Sequence, residues 1–172
     1  VPGYAKTLAE YSQVVTQRNA LLKQINERGG DPSQLDYWDE LLADRGAFII
    51  MHRIRAIQEL ERFAARVHSR LTHSAEILRL SYQPSFDPKP ISSGQYSLNL
   101  RSTAQNSSLD FAQIKQGFLA RLQQSRNEEI QRGVTISGPH RDELRFLSNT
   151  VDLGDFGSRG QIRTSMLSLK LA

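Results

Sequence analysis

Five consecutive residues near the end of the chain, Gly157-Ser158-Arg159-Gly160-Gln161, have the composition of a loop that meets a phosphate. Glycines let a backbone approach a ligand closely. A helix amino end offers unpaired N–H groups and the positive end of a dipole, and a serine hydroxyl there can donate to a phosphate oxygen. The same residues also read as a plain helix start. Ser158 and Gln161 stand at the S-x-x-Q spacing of a capping box, a local device worth ~1 kcal/mol. The residues alone leave both readings open. No G-x-x-x-x-G-K-[ST] loop occurs, nor an apolar strand ending in paired acidic residues to hold Mg²⁺. The chain therefore presents at most one half of a nucleotide site.

A second cluster is His140-Arg141-Asp142, which follows Gly138-Pro139. Histidine in such a turn is more often a structural hydrogen-bonding group than a catalyst, and Arg-Asp a local ion pair. His52, His68 and His73 lack the i, i+4 spacing that puts two metal ligands on one helical face, so no metal site is expected. Cysteine is absent, which excludes disulfides and thiolate metal sites and fits a reducing, cytoplasmic setting. The longest apolar run, Phe48-Ile49-Ile50-Met51, is too short to span a bilayer. Net charge is +4, a mild lean towards polyanions. Arg55, Arg62, Arg66 and Arg70, with Glu59 and His73, recur at three-and-four spacing. Like charges four apart repel on a helix, and a polyanion such as DNA would relieve that; a solvated face is the alternative. With no aromatic residue interleaving the arginines, contact is expected at phosphates, salt-sensitive and indifferent to sequence.

These groups must be positioned by a mostly helical scaffold. Tyr4, Leu8, Tyr11, Val15, Leu22 and Ile25 follow a four-three seam broken by Arg18, the pattern of a packed helix. Gly29-Gly30 ends it. Asp31-Pro32, with Gln34 completing a capping box, opens a second helix to about Ser74, so the two form an antiparallel hairpin. Glu76–Tyr82 alternates as a strand. Residues 84–108 read as loop, with a short strand at Tyr96–Leu100, and Ser108 as cap of a third helix over about 109–131 with Phe111, Ile114, Phe118 and Leu122 inside. Val134-Thr135-Ile136 reads as strand. Leu144 and Phe146, a turn at Asn149-Thr150, then Val151 and Leu153 read as a β-hairpin. The last helix begins near Ser158. Because the texture changes at Gly133, residues 1–132 are expected to form a helical arm domain with a small β/loop segment. Residues 133–172 are expected to belong to another unit.

Four passages together resemble the RecF family, bacterial DNA replication and repair ATPases related to ABC and SMC-type proteins. They are QRNALLKQI (Gln17–Ile25), LDYWDELLADRGAFII (Leu35–Ile50), GVTISGPHRDEL (Gly133–Leu144) and FGSRGQIRTSMLSLKLA (Phe156–Ala172). The resemblance implies a mainly α chain with a smaller α/β part: a long helical-hairpin arm plus part of the second lobe of an ABC-type ATPase head. It places the phosphate-binding loop before Val1 and the Mg²⁺-binding strand after Ala172. The chain, which lacks an initiator Met, is thus expected to be a central fragment, unable alone to bind ATP tightly or hydrolyse it. Gly157, Ser158, Arg159, Gly160 and Gln161 resemble the ABC-type signature loop, which contacts ATP held by an opposing subunit; Arg159 stands where ABC proteins usually carry glycine. The implied parent is a weak ATPase using ATP and Mg²⁺ and dimerising on ATP. It would bind single-stranded DNA or single-strand/duplex junctions and help RecO and RecR load RecA. A free-standing helical interaction module, or a piece of another SMC-like repair ATPase, remains the alternative.

Overall fold

The computed structural model describes residues 2–87 and 110–172, which form two compact units. The first contains residues 2–52, 84–87 and 110–142, the second residues 53–83 and 143–172. The strand expected at Tyr96–Leu100 and the Ser108 cap lie outside the described residues.

In the first unit, helix α1 (Tyr4–Arg28) buries Tyr11, Arg18, Leu22 and Ile25, three of the seam residues and the arginine that interrupts them. Gly29, at φ 73°, closes the helix. The Asp31 side chain accepts the Ser33 N–H at 2.9 Å and Pro32 opens a 3-10 turn, Pro32–Gln34, that leads into α2 (Leu35–Leu71). The capping box expected with Gln34 does not form; the Asp31 carboxylate instead accepts the backbone N–H and the hydroxyl of Ser33. Glu10 pairs with Arg45, Arg18 with Asp39, and Leu22 and Ile25 pack on Leu35. Partner numbers fall as α1 numbers rise, so α1 and α2 form the expected antiparallel hairpin.

A third helix, α3 (Phe111–Arg132), turns that hairpin into a three-helix bundle. Ile114, Phe118 and Leu122 are buried at helical spacing, as expected, while Phe111 is only half-buried. Along α3, Lys115 bridges Glu40 and Asp44, and Arg126 bridges Asp36 and Asp39, so α3 runs against α2. A Cβ on Gly46 would lie 2.5 Å from the Phe118 ring; this glycine lets α2 and the aromatic meet. Gly133, at φ 63°, ends α3.

The run Val134-Thr135-Ile136 is not a strand. Its amides are taken elsewhere: Val134 donates to the Glu129 carbonyl, Thr135 to Asn19 Oδ1 and Ile136 to Glu129 Oε1. With those donors committed to α1 and α3, no ladder can form.

The second unit sets a small antiparallel sheet, ordered β1-β2-β3, beside the later part of α2 and the terminal helices. Strand β1 (Leu78–Gln83) pairs with β2 (Glu143–Ser148), Leu78 opposite Ser148 and Gln83 opposite Glu143. Alternation buries Leu78, Leu80 and Tyr82. Asn149 and Thr150 both have positive φ and turn β2 into β3 (Val151–Asp152). Leu153 does not continue that strand. The Asp152 side chain accepts the Gly154 N–H at 2.8 Å and starts the short helix α4 (Leu153–Phe156). Leu153 thereby packs with Ala64 and Leu78, covered by Phe146 and Leu169. The last helix, α5 (Arg159–Lys170), buries Ser165 and Ser168. Among the described residues no helix is long and apolar enough to cross a membrane, and no group of His, Asp or Glu side chains could hold a metal ion.

Candidate nucleotide-contact loop

Ser158 is the N-cap of α5. Its Oγ accepts the Gln161 N–H at 3.2 Å, while its own N–H donates to Gln161 Oε1 at 3.1 Å. The S-x-x-Q spacing thus produces the reciprocal cap it predicts. The cap leaves several donors over. The N–H groups of Arg159 and Gly160, and the hydroxyl hydrogen of Ser158, have no acceptor among the described residues. All three residues are exposed. Orphan donors at a helix amino end, with the dipole behind them, suit an anion.

The two glycines of the loop differ in kind. A Cβ on Gly157 would lie 2.5 Å from the Leu153 carbonyl oxygen, so the return of the chain over α4 requires glycine there. A Cβ on Gly160 would meet only Ser158 Oγ, at 3.9 Å. Nothing within the described chain requires residue 160 to lack a side chain.

Gln161 also reaches inward, where its Nε2 donates to Glu76 Oε1 at 3.2 Å. The other oxygen of Glu76 accepts the Ser148 hydroxyl at 2.9 Å and faces His68 Nε2 at 3.3 Å. His68 is wholly buried and its Nδ1 lies 3.1 Å from Ser168 Oγ. Burial pushes the Glu76 carboxyl up, but the bonds from Ser148, Gln161 and His68 outweigh it and hold the group below its ordinary value. Sequence reasoning missed Glu76, which read as the first residue of a strand.

His140, Arg141 and Asp142 do not assemble into a reactive cluster. The Tyr11 hydroxyl lies 2.7 Å from His140 Nδ1, and Nε2 faces the Thr135 carbonyl at 3.3 Å. Desolvation lowers the His140 pKa, opposed by the Thr135 bond and aided by the charge of Arg141. Asp142 accepts the Ser85 N–H at 2.7 Å. Gly138, at φ 123°, presses its backbone against Tyr11 and Phe118. These contacts dock the turn on the bundle.

Arg55, Arg62, Arg66 and Arg70 are exposed on α2 and make no ion pair among the described residues. The expectation that no aromatic interleaves them is corrected. Phe63 is 49% exposed and the Arg66 guanidinium lies 4.9 Å from its ring centre. Its place in the sequence, directly after Arg62, was signal enough.

No protein-family model matches the chain. It is 39% identical over 171 residues to the DNA replication and repair protein RecF of Herpetosiphon aurantiacus, covering 98% of this chain and 38% of that one. With the RecF of Halothermothrix orenii it shares 38% over 172 residues, 99% of this chain and 42% of that. A solved structure of the recombination mediator protein RecF-ATPrS in the RecFOR pathway matches 99% of this chain and 41% of its own, at a TM-score of 0.82 and 27% identity. The chain therefore spans about two fifths of the length of the relatives it matches. Along that shared stretch, in sequence and in fold, it belongs to the RecF family.

Proposed function

We propose that this chain is the arm and signature-loop portion of an ATP-dependent DNA repair and replication protein acting in the RecFOR pathway. In this reading residues 1–132 are the arm and residues 133–172 part of the second lobe of the ATPase head. The loop Gly157–Gln161 meets the terminal phosphate of ATP carried by a second copy of the protein. The Arg159 and Gly160 N–H groups and the Ser158 hydroxyl donate to phosphate oxygens, and Gly160 lets the ligand come close. The phosphate oxygens of ATP, bound opposite with Mg²⁺, would supply the negative charge that this amino end otherwise lacks. The loop thereby acts as one jaw of a clamp that closes only with nucleotide present. Catalysis would fall to residues outside this stretch.

One observation carries the proposal: three exposed donors left over by the cap, beside a glycine that the fold itself does not need. Phe156, Ile162 and Met166 are 78%, 40% and 52% exposed next to the loop, apolar flanks suited to burial against a second copy. The ATP named in the related RecF structure supports the ligand. DNA, RecO, RecR and the loading of RecA enter through the family relationship, with the exposed arginines of α2 as the surface for phosphates.

The test is Ser158→Arg in the intact protein. Filling the amino end with a long cation leaves nucleotide binding in the first lobe intact and abolishes ATP-dependent dimerisation, read by sedimentation with and without ATP. Dimerisation equal to that of the parent protein would refute the clamp.

A further inference from the structure

The amide of Gln161 is used at both ends. Its Oε1 accepts the Ser158 N–H, closing the cap, and its Nε2 donates inward to Glu76. An amide can present either end in either direction, and only one orientation closes the cap. The neighbour that selects it is Glu76. An ionised carboxylate accepts and never donates, so it draws Nε2 inward and leaves Oε1 for Ser158. The carboxylate is itself held, by the Ser148 hydroxyl at the end of β2 and by the buried His68 ring on α2. That ring is seated in turn on Ser168 of α5.

We infer that Glu76 is a positioning residue for the loop 157–161: it fixes the Gln161 amide and so holds Ser158 and the first turn of α5 in the geometry that meets phosphate. The functional consequence rests on the reading of the loop given above; the structural claim does not. Glu76 touches no ligand. It acts through Gln161, and its carboxylate charge matters more than its size.

The reversal of donor and acceptor tests this. In Glu76→Gln the shape is kept, but an amide facing Ser148 and His68 with its oxygen turns its NH₂ towards Gln161 Nε2. In Glu76→Gln/Gln161→Glu the direction of the bond is reversed: the new amide donates to the new carboxylate, which can still accept the Ser158 N–H. Amide hydrogen exchange in the intact protein reads the cap directly. Glu76→Gln should speed exchange at Ser158 and Gln161 by about tenfold, and the double variant should restore it. A merely structural role for residue 76 would not be rescued by the reversal. Unchanged exchange in Glu76→Gln, or no rescue in the double variant, would overturn the inference.

A second readout separates this claim from the clamp. ATP-dependent dimerisation of Glu76→Gln should weaken about tenfold alongside the loss of the cap. If exchange responds while dimerisation is lost in Ser158→Arg but intact in Glu76→Gln, Glu76 does not position the functional loop. If exchange responds while neither variant affects dimerisation, Glu76 still fixes the cap and the clamp itself is wrong.

Discussion

Arg18 offers a severe test of the first unit. It is fully buried, with its guanidinium 2.7 Å from Asp39, 2.7 Å from Glu129 and 2.9 Å from the Thr135 hydroxyl. Consider Arg18→Met, which keeps much of the length and loses the charge. Asp39 retains Arg126 at 2.7 Å, whereas Glu129 retains only the Ile136 N–H at 2.8 Å. One buried carboxylate loses its counter-charge. Breaking a buried pair from one side costs ~3–5 kcal/mol, a large share of the ~5–15 kcal/mol that holds a typical domain. Adding Glu129→Gln should recover most of it, since the amide removes the uncompensated charge while its oxygen still accepts the Ile136 N–H.

The pH dependence identifies the cause. Burial raises the Glu129 pKa above its ordinary value, while the charge of Arg18 and the bonds from Ile136 and Arg18 pull it back. Without Arg18 it must rise further. A folded-state pKa above the unfolded one contributes stability below the unfolded value, and that contribution is lost as pH climbs through the folded value. The deficit of Arg18→Met relative to the parent should therefore be largest near about pH 8 and shrink towards about pH 5. Urea unfolding at both values measures it. A variant within ~0.5 kcal/mol of the parent, or a deficit equal at both pH values, would refute the reasoning.

Two further outcomes follow from the site. Gly157→Ala should destabilise the second unit by ~1–3 kcal/mol, because its Cβ meets the Leu153 backbone at 2.5 Å. Gly160→Ala should be neutral or stabilising by up to ~1 kcal/mol yet impair ATP-dependent dimerisation; melting curves and sedimentation together check the pair, and equal effects on stability would be the wrong answer. On α2, Arg62/Arg66/Arg70→Ala should flatten the salt dependence of single-stranded DNA binding by about 2 in log–log slope. Phe63→Ala should leave that slope unchanged but weaken binding by ~1–3 kcal/mol through lost stacking, measured by a salt titration of each variant.

Local periodicity made the helices and the alternation of β1 legible; β2 does not alternate in burial, and Leu144 is exposed. Periodicity failed where distant side chains took over. Arg18 read as a break in the α1 seam, yet it is as fully buried as Leu22; the partners that make this possible, Glu129 and Thr135, lie 111 and 117 residues away. The β-branched run Val134-Thr135-Ile136 satisfied every local preference for a strand. Asn19 and Glu129 claimed its amides instead, which no window around residue 135 contains. Leu153 kept the alternation of a hairpin, but one side-chain bond from Asp152 to the Gly154 amide was enough to begin a helix.

The loop at the start of α5 shows why its two readings were never competitors. A capping box consumes one lone pair on the serine oxygen, the Gln161 N–H and the Ser158 N–H. It consumes neither the serine proton nor the N–H groups of Arg159 and Gly160, which a helix must leave unpaired in its first turn. A well-made cap therefore fixes the donors it does not use. S-x-x-Q was legible because both partners sit three residues apart; Glu76, 85 residues from Gln161, was not. The spacing reveals that a cap exists, and only the fold reveals what holds the capping amide in place. A rigid amino end with spare donors presents the same geometry before and after an anion arrives, so the cost of ordering is met in folding rather than in binding. Loosening the cap should thus weaken phosphate capture even when every donor remains in the chain.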